Sequence, residues 1–389
     1  MSRLDELISQ YCPNGVEVKK LREVSYMQRG TSLTKAKAVK GDIPVISGGK
    51  EPAFYCNSSN RNGETITVAG SGAGAGYVQY WNIPIFANDC FTVKGNEFAE
   101  TKYLYYFMTN IQDKISDTKK GGGVPHVHIS DVENFSLPVP PLEVQREIVH
   151  ILDNFTELTD ELTAELTARK KQYEFYRNKL LTFDNKVKIV PLADIADIGT
   201  GSSNTNEGLE EGKYPFYVRS QEPLRKNAYE YDETAIITAG DGVGVGKVFH
   251  YIEGKYALHQ RAYRIHINTP DVLPRYYFHY MRAAFLPYIQ KTMFQGSVAS
   301  VRRPMLNKFP VPVPPLDTQK RLVNVLDNFE SICTDLNIGL PAEIEARQKQ
   351  YEYYRDLLLT FAAEGATILT DRQTDRQTDR QTDRQTGNN

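Results

Sequence analysis

The stretch Pro138-Val-Pro-Pro-Leu-Glu-Val-Gln-Arg-Glu-Ile-Val-His-Ile-Leu-Asp-Asn-Phe155 returns as Pro312-Val-Pro-Pro-Leu-Asp-Thr-Gln-Lys-Arg-Leu-Val-Asn-Val-Leu-Asp-Asn-Phe329, at a constant offset of 174 residues. A second block, RKKQYEFYRNKLLTF (Arg169 to Phe183), returns as RQKQYEYYRDLLLTF (Arg347 to Phe361). An internal repeat governs how everything else is read, because each copy is one structural unit. The chain is therefore two copies of a globular lobe followed by a helical arm. Double proline before Leu142 and Leu316 marks a helix start, since proline suits the first helical turn and breaks what precedes it.

In the first arm, Val144, Ile148, Ile151, Phe155, Leu158 and Leu162 alternate at spacings of four and three. That is the seam of a helix pair, so the arm needs a partner helix, and the other arm is the expected one. The second arm is four residues longer in its middle and holds Gly339 and Pro341, which should interrupt the helix. Leu4, Leu7 and Ile8 followed by Val16 and Val18 resemble Leu180 and Leu181 followed by Val187 and Ile189. The start of the chain thus looks like the end of an arm, as in a circularly arranged protein.

The lobes diverge between a few landmarks. Gly70-Ser-Gly-Ala-Gly-Ala-Gly76 matches Gly240-Asp-Gly-Val-Gly-Val-Gly246, and Glu51-Pro52 matches Glu222-Pro223. Short β-branched runs such as Thr65–Val68 and Ala235–Thr238 predict strands. Tyr103–Met108 and Tyr276–Met281 predict helices near the end of each lobe. The expected fold class is α+β: two pseudo-twofold-related mixed α/β domains separated by two long antiparallel coiled-coil arms. The expected boundaries are an N-terminal helix at 1–15, lobes at 16–141 and 187–315, arms at 142–186 and 316–364, and a low-complexity tail at 365–389. In that tail Thr-Asp-Arg-Gln repeats from Thr370 to Thr386. It has no apolar residues and is expected to be disordered. A tetranucleotide tract would encode such a repeat, which makes replication slippage an expectation for this end of the gene.

The 389 residues carry a formal charge of −2, so no global field advertises a nucleic-acid partner. Cys12, Cys56, Cys90 and Cys333 are scattered, which argues against a zinc site or a disulfide framework and fits a reducing cytoplasm. No apolar run approaches the ~20 residues that span a bilayer. The glycine runs match neither a P-loop nor a dinucleotide fingerprint; they read as tight turns where backbones approach closely. His126 and His128 have no third ligand nearby, and the aligned positions of the second copy are Ser300 and Arg302, so no metal is expected. Asp89-Cys90 lacks a matching base. Positive charge is local: Lys35, Lys37 and Lys40; Lys119 and Lys120; Arg225 and Lys226; Lys247; Arg302 and Arg303. Such clusters on two lobes fit phosphate contact, against the plainer reading of solvated side chains.

With the repeat, the arms and the glycine turns together, the chain resembles the specificity subunit of Type I restriction-modification enzymes over nearly all of residues 1 to 361. The resemblance implies a non-catalytic subunit whose lobes each read half of a bipartite site in double-stranded DNA. It implies arms that act as a ruler and dock two methyltransferase subunits, with restriction subunits joining that core. It implies docking through Leu142, Gln145, Ile148, Phe155, Leu316, Gln319, Leu322 and Phe329. S-adenosylmethionine, ATP and Mg belong on the partners; the NPPF-type motif of the methylating subunit is absent here. Rival readings are a stand-alone methyltransferase or a coiled-coil scaffold without DNA contact.

Overall fold

A computed structural model describes residues 2–121, 123–184, 187–292 and 300–360. The Thr-Asp-Arg-Gln tail and Phe361 lie outside the described residues. The chain divides into two units, Met1–Glu161 with Ile344–Asn389, and Leu162–Glu343. Each unit thus combines one lobe, the start of the arm that follows it, and the end of the other arm.

In the first unit, a four-stranded antiparallel sheet runs in the order Ser25–Arg29, Cys90–Gly95, Thr65–Ala69, Val78–Trp81. A smaller sheet joins Phe54–Cys56, Ile43–Ile46 and Phe86–Ala87. Helix Thr101–Asn110 covers the larger sheet, placing Tyr103, Leu104 and Met108 against Ile66, Val68 and Val93, all fully buried. In the second unit, a six-stranded sheet runs Ala196–Thr200, Ala262–Ile267, Tyr231–Ala239, Phe249–Leu258, Tyr214–Tyr217, Leu224–Lys226. Helix Pro274–Thr292 covers it with Tyr276, Tyr277 and Phe285. The runs predicted as strands and helices in both lobes fold as such.

Each lobe closes on a two-stranded antiparallel ribbon: Glu17–Lys20 with Ser136–Val139, and Lys188–Pro191 with Pro310–Val313. The repeated Pro-Val-Pro-Pro is the second strand of that ribbon, running directly into a helix. These prolines fit a two-stranded edge, where a missing N–H costs no central ladder bond. The helix after the first ribbon, Leu142–Leu180, is unbroken for 39 residues, about 58 Å at 1.5 Å per residue. The second is split into Leu316–Thr334 and Leu340–Thr360. The break falls where Gly339 and Pro341 predicted it. A side chain at Gly339 would meet the Asp335 and Ser331 carbonyl oxygens at 2.6 Å.

The expected seam is corrected in its first turns. Val144, Ile148 and Leu152 are fully buried in one cluster with the lobe core, along with Leu358, Leu359 and the N-terminal Leu4. Leu158, expected in the same seam, is 36% exposed. The start of the stripe is therefore shared: the lobe core covers it together with the end of the other arm, where Leu358 and Leu359 lie.

One residue fixes this joint. The Gln145 side chain is fully buried; its amide donates to the Phe98 oxygen at 2.8 Å and the Pro140 oxygen at 2.7 Å, and accepts from the Glu100 N–H at 2.9 Å. Gln319 repeats the pattern with the Asp271 oxygen at 3.1 Å, the Pro314 oxygen at 2.8 Å and the Leu273 N–H at 2.8 Å. Each glutamine closes the end of the proline ribbon against the backbone just before the lobe helix. Buried amides that lose a partner carry the full desolvation cost of the groups left behind. Gln145→Leu, which strands one N–H and two carbonyls, is expected to destabilise the first unit by about 2–3 kcal/mol. Urea unfolding of the variant checks this; a change below about 0.5 kcal/mol would show that the clamp is not structural.

Candidate nucleic-acid interface

The glycine turns occupy the same frame in both lobes. In the first, Gly70 donates its N–H to the Asp89 oxygen at 3.1 Å, Val127 donates to the Gly70 oxygen at 3.1 Å, and Ser71 bridges His126. A side chain at Gly74 would meet the Gly48 oxygen at 2.3 Å. In the second, Gly240 donates to the Arg261 oxygen at 2.9 Å, Val301 donates to the Gly240 oxygen at 2.7 Å, and Asp241 bridges Ser300. A side chain at Gly244 would meet the Arg219 oxygen at 2.5 Å. Gly72, Gly76, Gly242 and Gly246 hold φ between +71° and +84°, the left-handed region that glycine adopts without strain. The sequence reading of these runs as close-approach turns holds, and the backbones that approach are the lobe's own loops.

On this shared frame the side chains differ. Ser71 donates its hydroxyl to Asp89 in the first lobe, beside a cleft of about 190 Å³ that also touches Arg29, Asn88, His126 and His128. The two histidine rings stack at 6.0 Å. In the second lobe Asp241 accepts from Arg219 at 2.7 Å and Arg261 at 3.2 Å. Burial pushes the Asp241 carboxyl up, but the two guanidinium groups outweigh it and hold the carboxyl below the usual range. Burial pushes the Cys90 thiol up to about 12, so this cysteine is a core residue rather than a nucleophile.

The basic residues singled out from sequence divide into two groups. Lys35, Lys37, Lys40, Lys119, Lys247 and Arg302 are exposed. Lys35 and Lys40 edge an open cleft with Phe54 and Tyr55. The other four are engaged within the lobes. Lys120 pairs with Asp131. Arg225 donates to the Gly212 oxygen at 3.0 Å. Lys226 donates to the Ser203 hydroxyl at 2.6 Å and Glu207 at 2.7 Å. Arg303 donates to the Ile198 oxygen. Each of these four thus serves an acceptor within its lobe, while Lys120 and Arg303 remain exposed. Arg219 and Arg261 were missed, because they lie in no basic cluster. Arg261 takes the structural place of Asp89, since the first glycine of each turn donates to its oxygen, but in sequence the glycine turns align Asp89 with His259, so only the fold shows the match.

The residues expected to dock other subunits also turn inward. Gln145, Ile148 and Gln319 are fully buried and Leu322 is 9% exposed, so that expectation is corrected to an internal role. Leu142 and Leu316 are half-buried. Phe155 stacks on Tyr354 at 5.5 Å, and Phe329 on Tyr176 at 6.1 Å. What the arms expose is a different matched pair. In the repeated Gln-Tyr-Glu-aromatic-Tyr-Arg block, Phe175 is 61% exposed and Tyr353 is 53% exposed.

The aspartate of each Leu-Asp-Asn-Phe repeat ties the arm to the lobe helix. Asp153 accepts from Lys102 at 2.8 Å and from the Tyr106 hydroxyl. Asp327 accepts from Arg275 at 2.8 Å and from His279 at 2.7 Å, with Glu330 paired to Arg275 and Arg282. His279, Asp327 and Glu330 bring three ligand-type atoms within 4.8 Å, but the two arginines already neutralise these carboxylates. This is a charge network at a joint and not a site shaped for a cation. Among the described residues no helix is long and apolar enough to cross a membrane.

Against known proteins, the family described as the Type I restriction modification DNA specificity domain matches residues 13–169 and 184–346. The chain belongs to this family, with one domain per repeat. A putative Type I restriction enzyme specificity subunit of Haemophilus influenzae is 30% identical over 379 residues, covering 89% of this chain and 96% of the relative. A Type I restriction enzyme specificity subunit of Escherichia coli is 35% identical over 292 residues, covering 67% of this chain and 70% of the relative. The fold matches the crystal structure of a Type I restriction-modification S subunit from M. genitalium with a TM-score of 0.63 at 16% identity, covering 89% of this chain and 97% of that one. The chain is thus a non-catalytic, DNA-recognition protein of Type I restriction-modification.

The second unit is expected to lose stability in acid, with His279 at the joint and His250 and His259 in the lobe. Burial pushes His279, His250 and His259 below their ordinary value of 6.5; at His259 the nearby Arg219 and Arg261 push the same way, while carboxylates and, at His250, a backbone contact oppose it. As pH falls through 6.5 the unfolded chain takes up these protons before the folded one does. Stability is therefore full above about pH 7 and declines below 6.5. Fully buried His279 contributes at most about 1.4 kcal/mol per pH unit. His279→Tyr, which copies Tyr106, is expected to lose less stability than the parent between pH 7 and 5.5. Thermal unfolding across that range checks this, and equal losses in both proteins would contradict it.

Proposed function

We propose that this chain is the sequence-reading subunit of a cytoplasmic Type I restriction-modification complex, and that each lobe reads one half of a bipartite site in double-stranded DNA. The observation that carries this is one rigid loop frame present twice with different polar side chains. A frame held by backbone hydrogen bonds and glycine close approaches can change its side chains without changing its shape, which two readers of different half-sites require. Base edges carry the sequence information, and phosphate contacts position the protein. The exposed Lys35, Lys37, Lys40, Lys119, Lys247 and Arg302 suit the second role.

In this reading the helices Leu142–Leu180, Leu316–Thr334 and Leu340–Thr360 form two antiparallel coiled-coil arms that set the separation of the lobes. Phe175 and Tyr353 would be equivalent anchors for two copies of one methyltransferase subunit. Two copies of the same surface fit two copies of one partner, and an exposed aromatic is a strong interface anchor. Restriction subunits join that core. S-adenosylmethionine, ATP and Mg would sit on the partners.

Methylation mapping of a strain carrying the complex is expected to give one motif in two specified halves around an unspecified gap. Native mass spectrometry of the purified complex tests the arms. The parent should hold two methyltransferase subunits, Phe175→Asp and Tyr353→Asp one each, and the double variant none. A contiguous motif, or an unaltered complex in the double variant, would contradict the reading.

A further inference from the structure

The arginines at the second glycine turn are held in a way that goes beyond charge. Arg219 and Arg261 come from different loops and converge on one carboxylate, Asp241, whose side chain is 22% exposed. Their own side chains remain 41% and 62% exposed. An aspartate that grips part of each guanidinium fixes its orientation and leaves other N–H groups free to donate. The pairing also cancels one of the two positive charges, a poor arrangement for phosphate attraction, which needs charge and little geometry. A planar fork of fixed direction suits an acceptor pair of fixed spacing. Guanine offers one in the major groove through O6 and N7, and an arginine fork on that pair is the commonest specific base contact.

The surroundings fit entry into a groove. The turn carries Val243 at its tip, 94% exposed, between glycines that keep the loop narrow. Asp241 through Gly244 line an open cleft of about 400 Å³ with Arg219, Ser220, Val218 and Thr205. In the first lobe the places of Arg219 and Arg261 are held by Gly48 and Asp89, a residue without a side chain and an acceptor. The same frame thus presents opposite hydrogen-bonding character in the two lobes.

We propose that Arg219 and Arg261, oriented by Asp241, read guanine in the half-site of the second lobe. Asp241 is a positioning residue that touches no base. This inference rests on the reading of the chain as a DNA-sequence reader.

The test uses the complete complex and synthetic duplexes carrying its mapped motif. Exchange of residues 187–315 with the equivalent lobe of a relative assigns one half-site to the second lobe. Guanines of that half are replaced one at a time by 7-deazaguanine, which lacks the N7 acceptor. One or two replacements are expected to weaken binding of the parent roughly 5- to 10-fold, the lower end for a bidentate contact, because O6 still accepts. Arg261→Lys, which keeps the charge and loses the fork, should lose preference for guanine at one position and keep the salt dependence of binding. Asp241→Asn should relax the same positions less severely. The other half-site should not change in any variant. A second half-site without guanine on either strand would overturn the proposal, as would indifference to 7-deazaguanine. Equal weakening on all sequences by Arg219→Gln and Arg261→Gln, with a shallower salt dependence, would make these residues phosphate contacts and also overturn it. A parent complex with no bipartite motif would instead defeat the functional reading itself.

Discussion

A buried glutamine amide, placed four residues after a double proline, is the contact on which each half of this protein depends. Gln145 and Gln319 each make three hydrogen bonds to backbone groups, at the point where a lobe ends and a helix begins. Nothing in the apolar packing around them replaces those bonds, because the backbone before the lobe helix would otherwise keep a buried N–H and carbonyl unpaired. A tyrosine hydroxyl reinforces each joint from the lobe helix: Tyr103 donates to the Pro138 oxygen at 2.8 Å and Tyr277 to the Pro312 oxygen at 3.0 Å. The proline strand is thereby pinned from both ends, and the direction in which each helix leaves its lobe is set by hydrogen bonds. Charge pairs on Asp153 and Asp327 extend the joint two helical turns further along.

This construction separates two demands. The joint must be the same in both halves if the halves are to be equivalent, and the reading loops must differ if they are to read different sequences. In the proposed reading the glycine turns meet the second demand. Their geometry is fixed by main-chain bonds and by close approaches that exclude a side chain, so Ser71 and Asp89 in one lobe can be Asp241 and Arg261 in the other on one backbone frame.

Much of this was legible in the repeat. The proline strand, the helix start after it, the break near Gly339, and the strands at Thr65 and Ala235 follow from local chemistry that needs no tertiary context. The assignment of roles was less legible, for a physical reason. Residues that recur in both copies mark what both copies share, and Gln145 recurs as Gln319, with Ile148 answered by Leu322, because they serve a joint inside each unit. Spacing gave the apolar stripe from Val144 but could not say whether a lobe or a helix would cover it. The cations show the same limit. In a chain with 46 basic and 48 acidic residues, acceptors for cations are plentiful, and a cation adjacent to another in sequence can be engaged internally once folded. Lys120, Arg225, Lys226 and Arg303 are engaged in this way, and adjacency in sequence had made them conspicuous. Arg219 and Arg261 come together only through the sheet.

In the proposed reading, the unbroken helix that leaves the first glutamine joint sets the separation of the two readers. Inserting Thr-Ala-Glu-Leu after Leu162, within the unbroken helix Leu142–Leu180, would lengthen it by roughly 6 Å and leave both lobes and both glutamine joints untouched. Duplex DNA rises about 3.4 Å and turns about 35° per base pair, near 10 pairs per turn. Methylation mapping of this variant is the most direct measurement. The account predicts the same two half-sites separated by a gap one or two base pairs longer. An unchanged gap would mean that the helix does not set the separation, and the account would be wrong.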